Sequence, residues 1–177
     1  MTSHSKKDSR SFSRITTNPG KHFSPIAALQ GEDNEDTQLL RETAIAAVSF
    51  LRSFGWCGEI GEQYYAGGVG GIVGLFLFHV TLVFEKNDKV ISVNEWLWVI
   101  GGELPWAYMG YDLAPSPYQA IDRYADGLST WAGEADWGVI SEDAIQIECL
   151  PTGDNARIIR RHVDFLRSYI LPRFEPV

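Results

Sequence analysis

Apolar and polar residues change their period repeatedly along this chain, and each change predicts an element. Leu40, Ala44, Ala47, Val48, Leu51 and Phe54 recur at three- and four-residue spacing, the buried stripe of an amphipathic helix over about Thr37–Phe54. Glu32, Asp33, Glu35 and Asp36 lie where the positive end of the helix dipole favours acids; Asn34 or Asp36 can cap, and Gly55 supplies a stop. From Leu75 the period falls to two. Phe76, Phe78, Val80, Leu82 and Phe84 share one face of a strand, and Leu77, His79, Thr81 and Val83 share the other. The first set, uniformly large and apolar, is expected on the core; the mixed second set is expected under less apolar neighbours.

The polar stretch "EKNDK", Glu85–Lys89, reads as a turn. "VISVNEWLWVIGG" then reads as one long or two short strands, with Trp96, Trp98 and Ile100 on one side and Leu97 and Val99 on the other. A further strand is expected near Trp106–Met109, where Pro105 suits an edge or a strand start, and "AIQIECLP" reads as a short strand. Helical spacing returns at Tyr118, Ile121, Tyr124, Ala125, Leu128 and Trp131, with Ser116 as cap and Pro117 in the first turn. Gly127 costs that helix about 1 kcal/mol relative to alanine. A last helix is expected over about Asn155–Leu171, with Ile159, Val163, Leu166 and Ile170 inward, Arg157, Arg160, Arg161 and Arg167 outside, and Pro172 as its end. Helix, antiparallel strands, then helices make an α+β fold: a sheet of about three to five strands packed against an N-terminal helix and two C-terminal helices.

The glycines of "YYAGGVGGIVGLFLFHV" raise the question of chemistry. A dinucleotide loop needs G-x-G-x-x-G between a strand and a helix, but the frame opened by Gly68 and Gly70 ends at Val73, and the residues after it alternate as a strand. A P-loop needs lysine, and none occurs between Gly67 and Phe84. Gly70–Phe84 is too short for a spanning helix and contains His79. The run therefore reads as a place where backbone bends or approaches closely ahead of a core strand.

With 177 residues the chain suits one domain, residues 31–177, preceded by an arm over residues 1–30 that reads as disordered or loosely ordered. The arm is basic: Lys6, Lys7, Arg10, Arg14 and Lys21 against Asp8 give +4, so the formal charge of −8 leaves −12 on the rest. That balance argues against nucleic acid or an anionic membrane as main partner. No apolar stretch follows the basic N-terminus as in a secretory signal, and two cysteines make no disulfide framework, so a cytoplasmic location is expected.

Catalytic patterns are thin. Cys57, His79 and Glu59 or Glu95 supply the types for a nucleophile, base and orienting acid, but types alone are common. His4, His22, His79 and His162 are scattered without metal-ligand spacing, so neither metal nor cofactor is expected. The acids Glu59 with Glu62, and Glu95 with Glu103, lie beside tryptophans in the manner of a sugar-hydrolysing site. Density of aromatics is the stronger signal. Trp56, Tyr64, Tyr65, Trp96, Trp98, Trp106, Tyr108 and Tyr111 interleave with Glu59, Glu62, Glu95, Glu103 and Asp112. Core filling uses many of these rings, and the surplus suits a partner, because tryptophan and tyrosine dominate interface hot spots.

"VGLFLFHV", "EWLWVIGGELPWAYM" and "DFLRSYILPRF" resemble compact bacterial α+β proteins of unassigned activity, over roughly residues 37–174. In size, acidity and tryptophan use the chain is similar to immunity proteins that neutralise toxins delivered by neighbouring cells. The resemblance implies a non-catalytic binding protein of immunity or regulatory type, whose partner is a basic toxin or a regulatory target. The candidate binding residues are Glu59, Glu62, Tyr64, Tyr65, Glu95, Trp96, Trp98, Glu103 and Trp106. The alternative is a small enzyme or ligand-binding domain with a pocket near Glu59, Glu62, His79 and Glu95. A homodimer through an exposed strand edge is the third reading.

Overall fold

The computed structural model describes residues 18–142 and 144–174. Helix α1, Asn34–Arg52, is capped by Asp33, whose carboxylate accepts the Asp36 N–H at 2.8 Å. Its buried stripe is Leu40, Thr43, Ala44, Ala47 and Leu51, with the Thr43 hydroxyl turned back onto the Leu39 carbonyl. One antiparallel sheet follows chain order: β1 (Ser24–Pro25), β2 (Cys57–Val69), β3 (Val73–Lys86), β4 (Lys89–Gly102) and β5 (Ala107–Gly110). The turn between β3 and β4 is only Asn87–Asp88, both at positive φ, the left-handed pair that suits the twist of a tight hairpin.

Helices α2 (Pro117–Ala135) and α3 (Gly153–Phe165) complete the fold. Ser116 caps the first as its sequence predicts, and Thr152 caps the second. The last helix departs from expectation at its end. Beyond Phe165 it widens into a π-helical turn, Leu166–Ile170, and closes as a 3-10 turn at Leu171–Arg173 around Pro172. Ile159, Val163, Leu166 and Ile170 are buried as expected. Arg167 pairs with Asp126 at 2.5 Å and Arg160 pairs with Asp136, tying this segment to α2 through half-exposed bridges of small energetic weight.

The sheet is covered on both sides, not on one. Phe76, Phe78, Val80, Leu97 and Val99 pack under α1, while Leu75, Leu77, Trp98 and Ile100 pack under α2 and α3 with Tyr124, Trp131 and Leu166. A strand covered twice needs apolar residues at consecutive positions, which is why β3 is buried without interruption from Val73 to Phe78. Three further segments differ from their expected form. Cys57–Val69 is a full strand. Residues 144–152 run without a strand. Residues 18–30 are ordered, through a 3-10 turn at Pro19–His22, strand β1 and a second 3-10 turn at Ile26–Ala28. The first 17 residues of the expected basic arm lie outside those described. Among the described residues no helix is long and apolar enough to cross a membrane.

Candidate functional site

Helix cover ends part-way along the two long strands. From Thr81 to Lys86 on β3 and from Lys89 to Trp96 on β4 every residue is exposed or half-buried. Together with the start of β2 this makes a three-stranded ribbon projecting past the helices. Register places Leu82 opposite Val93 and Phe84 opposite Ile91, on the face that α1 covers further back. Phe84 is 45% exposed, Ile91 41% and Val93 42%, so the ribbon carries a contiguous apolar strip in water. The ribbon as a whole is acidic, with Glu59, Glu62, Glu85, Asp88 and Glu95 against Lys86 and Lys89; alternation puts Glu95, Lys86 and Lys89 on the face of the strip and Glu62 and Glu85 on the other.

The opposite face of the ribbon holds a polar and aromatic group. His79 and Trp96 are cross-strand neighbours with ring centroids 4.8 Å apart, and Tyr64 lies 6.1 Å from Trp96. The Tyr64 hydroxyl donates to Glu62 Oε2 at 2.7 Å, and Asn18 Nδ2 donates to the Tyr64 oxygen at 2.8 Å and to Glu62. Donation to the carboxylate raises the Tyr64 pKa and keeps the phenol protonated.

The nine candidate binding residues therefore separate. Glu62, Tyr64 and Trp96 meet on one face of the ribbon. Glu95 stands opposite Val80 on the other face, and Glu59 is exposed on β2. Tyr65 packs against Phe76 with centroids 5.5 Å apart, and burial, helped by the nearby Asp36 charge, pushes its phenol up to about 12. Trp98 is fully buried, and its Nε1–H donates to the Ala114 carbonyl at 2.7 Å. Glu103 and Trp106 lie at the far end of the sheet. The expected pocket at Glu59, Glu62, His79 and Glu95 does not form, because the sheet separates Glu62 and His79 from Glu95. The same sheet separates Cys57, opposite Leu82 on the α1 side, from His79. Burial also raises the Cys57 thiol, the wrong direction for a nucleophile.

A groove of about 780 Å³ lies elsewhere, between the end of α1, the β4–β5 connection, residues 146–149 and α3. Phe50, Phe54, Cys149 and His162 line it, and Phe50 stacks on Trp106 with ring centroids 5.8 Å apart. Buried His162 Nδ1 has no hydrogen-bond partner among the described residues, and burial lowers the imidazole pKa. Glu103 and Glu148 supply the charge of the lining, which contains no lysine or arginine. Sequence reasoning missed this groove. Its walls come from four distant segments, and neither Cys149 nor His162 has a patterned neighbour. Among the described residues no three His, Cys, Asp or Glu side chains stand close enough to hold a metal ion. No family model, curated protein or solved structure matches the chain.

Proposed function

We propose that the chain is a non-catalytic binding protein of immunity or regulatory type, which holds a basic protein partner on the projecting ribbon. One observation carries this reading: the cross-strand pairs Leu82–Val93 and Phe84–Ile91 form an apolar strip, exposed at Phe84, Ile91 and Val93, on a ribbon of net negative charge. Exposed apolar side chains on a rigid sheet cost solubility unless something covers them, and the net negative charge of the ribbon favours a basic surface. Tyr64, Trp96 and Glu62 on the reverse face add a second contact zone of the type enriched at interfaces. The partner class is a basic toxin or regulatory target, and the location that goes with it is the cytoplasm.

Co-purification from the native host tests the proposal. The expected result is a stoichiometric basic protein that is lost with Phe84→Glu/Ile91→Glu, while the variant's own melting midpoint stays close to wild type, as half-exposed positions predict. Retention of the partner by that variant overturns the ribbon as the surface.

A second reading, a ligand-binding domain, is favoured by the groove beside His162. An apolar cleft of that volume, with two carboxylates and an unpartnered imidazole nitrogen, suits a small apolar amine. His162 gives it a measurable signature. Its pKa is lowered in the folded chain, so the fold prefers the neutral ring. Protonation favours the unfolded state, and stability falls as pH drops through the unfolded value near 6.5. His162→Leu is expected to flatten that part of the stability–pH curve. An imidazole NMR titration with its midpoint at or above 6.5 is incompatible with the buried, unpartnered ring.

A further inference from the structure

We infer that the chain self-associates through the free edge of β4, where Lys89–Glu95 pairs antiparallel with the same residues of a second copy about a two-fold axis at Ser92. This goes beyond the partner reading, which concerns the faces of the ribbon and not its edge.

Strand β5 pairs only with Leu97–Ile100, so among the described residues Lys89–Trp96 has no strand on that side. The β3–β4 ladder runs in unbroken register from Val73 opposite Gly102 to Lys86 opposite Lys89. Neither proline nor bulge interrupts the free stretch, and such a flat edge is a template for another strand. The edge of β2 differs. Its register shifts between Cys57 and Ile60 and again between Ile60 and Gln63, and β1 covers Tyr64 and Tyr65. Those bulges blunt it.

Hydrogen-bond parity fixes which groups are free. A two-residue turn makes Lys86 and Lys89 a hydrogen-bonded pair, and the Val83 N–H bonds away from β4, to the Trp56 carbonyl at 2.8 Å. Odd residues of this stretch of β4 therefore bond to β3. Val90, Ser92 and Asn94 direct their N–H and C=O groups outward into solvent, a row that a second strand can pair.

Side chains then choose the register. A two-fold at Ser92 sets Ser92 against Ser92 and Val90 against Asn94 as hydrogen-bonded pairs. It sets Ile91 against Val93, and Lys89 against Glu95, in the closer non-hydrogen-bonded positions. A two-fold at Ile91 would instead put Glu95 beyond the partner's strand, opposite Asn87, and one at Val93 would put Glu95 against Ile91. Only the Ser92 register matches the charges. It also fits the space: the partner strand ends at its Lys89, where its hairpin turns, and the free edge ends at Trp96, where β5 begins. Two five-stranded sheets become one, and the Leu82, Phe84, Ile91, Val93 strips of both copies join on one face.

Sedimentation equilibrium on the full chain tests this. We expect a monomer–dimer equilibrium that Ser92→Pro abolishes, since that substitution removes an outward N–H and leaves the β3 ladder intact. Glu95→Lys is expected to raise the dissociation constant about tenfold, by setting lysine against lysine twice per dimer, and Lys89→Glu/Glu95→Lys is expected to restore it. A wild-type chain that stays monomeric at millimolar concentration overturns the proposal. So does a dimer that survives Ser92→Pro with its constant unchanged. If Ser92→Pro fails to fold, the charge pair decides: a reversal that weakens and a swap that rescues support the register, and a reversal without effect, or a swap without rescue, overturns it.

Discussion

Replacing Trp98 with alanine is expected to remove about 3–5 kcal/mol of folding stability, a large share of the 5–15 kcal/mol a domain of this kind possesses. The indole is fully buried between the sheet and the α2–α3 layer. Phe23 and Tyr111 flank it with ring centroids 5.8 and 5.7 Å away, so a cavity there has walls from separate segments that cannot collapse together. Its Nε1–H also satisfies the carbonyl of Ala114, itself fully buried. Trp98→Phe separates the two contributions. It keeps much of the apolar volume but leaves that carbonyl unpaired, and is expected to cost about 1–3 kcal/mol. Urea unfolding checks both: the midpoint should fall in the order wild type, phenylalanine, alanine, with unchanged slope. An alanine variant losing less than about 1 kcal/mol would falsify the assignment of Trp98 to the core and return it to the candidate binding residues.

Trp98 also illustrates what the sequence can and cannot reveal. Alternation on β4 correctly divides Trp96, Trp98 and Ile100 from Leu97 and Val99, but alternation says which residues share a face and not how far along the strand a helix covers it. Trp96 and Trp98 share one face; the first lies half-buried on the open ribbon and the second in the core. The same limit applies to Phe78 and Phe84. Local signals were more legible. Ser116 before Pro117 marks the start of α2 to the residue, and Asn87–Asp88 within "EKNDK" gives the hairpin turn. Strand β2 was hidden because three register shifts and its glycines break the two-residue period by which a strand is recognised. The groove was hidden for a different reason. Phe50, Trp106, Cys149 and His162 approach one another only because the sheet edge and α3 bring distant segments together.

The glycine run, which first raised the question of a phosphate site, has a packing role that one substitution can expose. Gly68→Ala is expected to destabilise by about 3 kcal/mol or more, the combined cost of a disfavoured backbone and an overpacked contact. Gly68 has φ +151°, where alanine is strained, and an added Cβ would sit 2.1 Å from the Val73 carbonyl oxygen. That oxygen belongs to the facing strand, since Gly68 pairs with Gly74 and Val69 with Val73 at the closed end of the β2–β3 hairpin. It cannot rotate aside as a side chain would. Gly102, with φ +138°, meets the same turn from β4, where an added Cβ would sit 2.6 Å from the Ile72 carbonyl oxygen, so close backbone approach is shared by three strands here. Gly133 on α2 provides the opposite case: an added methyl meets nothing within 4 Å and the backbone is helical, so Gly133→Ala should stabilise by about 0.5–1 kcal/mol. Thermal or urea unfolding of the two alanine variants should therefore move in opposite directions. A tolerated Gly68→Ala would mean that the closed hairpin end has room beside the Val73 carbonyl, and would remove the packing role assigned to this glycine.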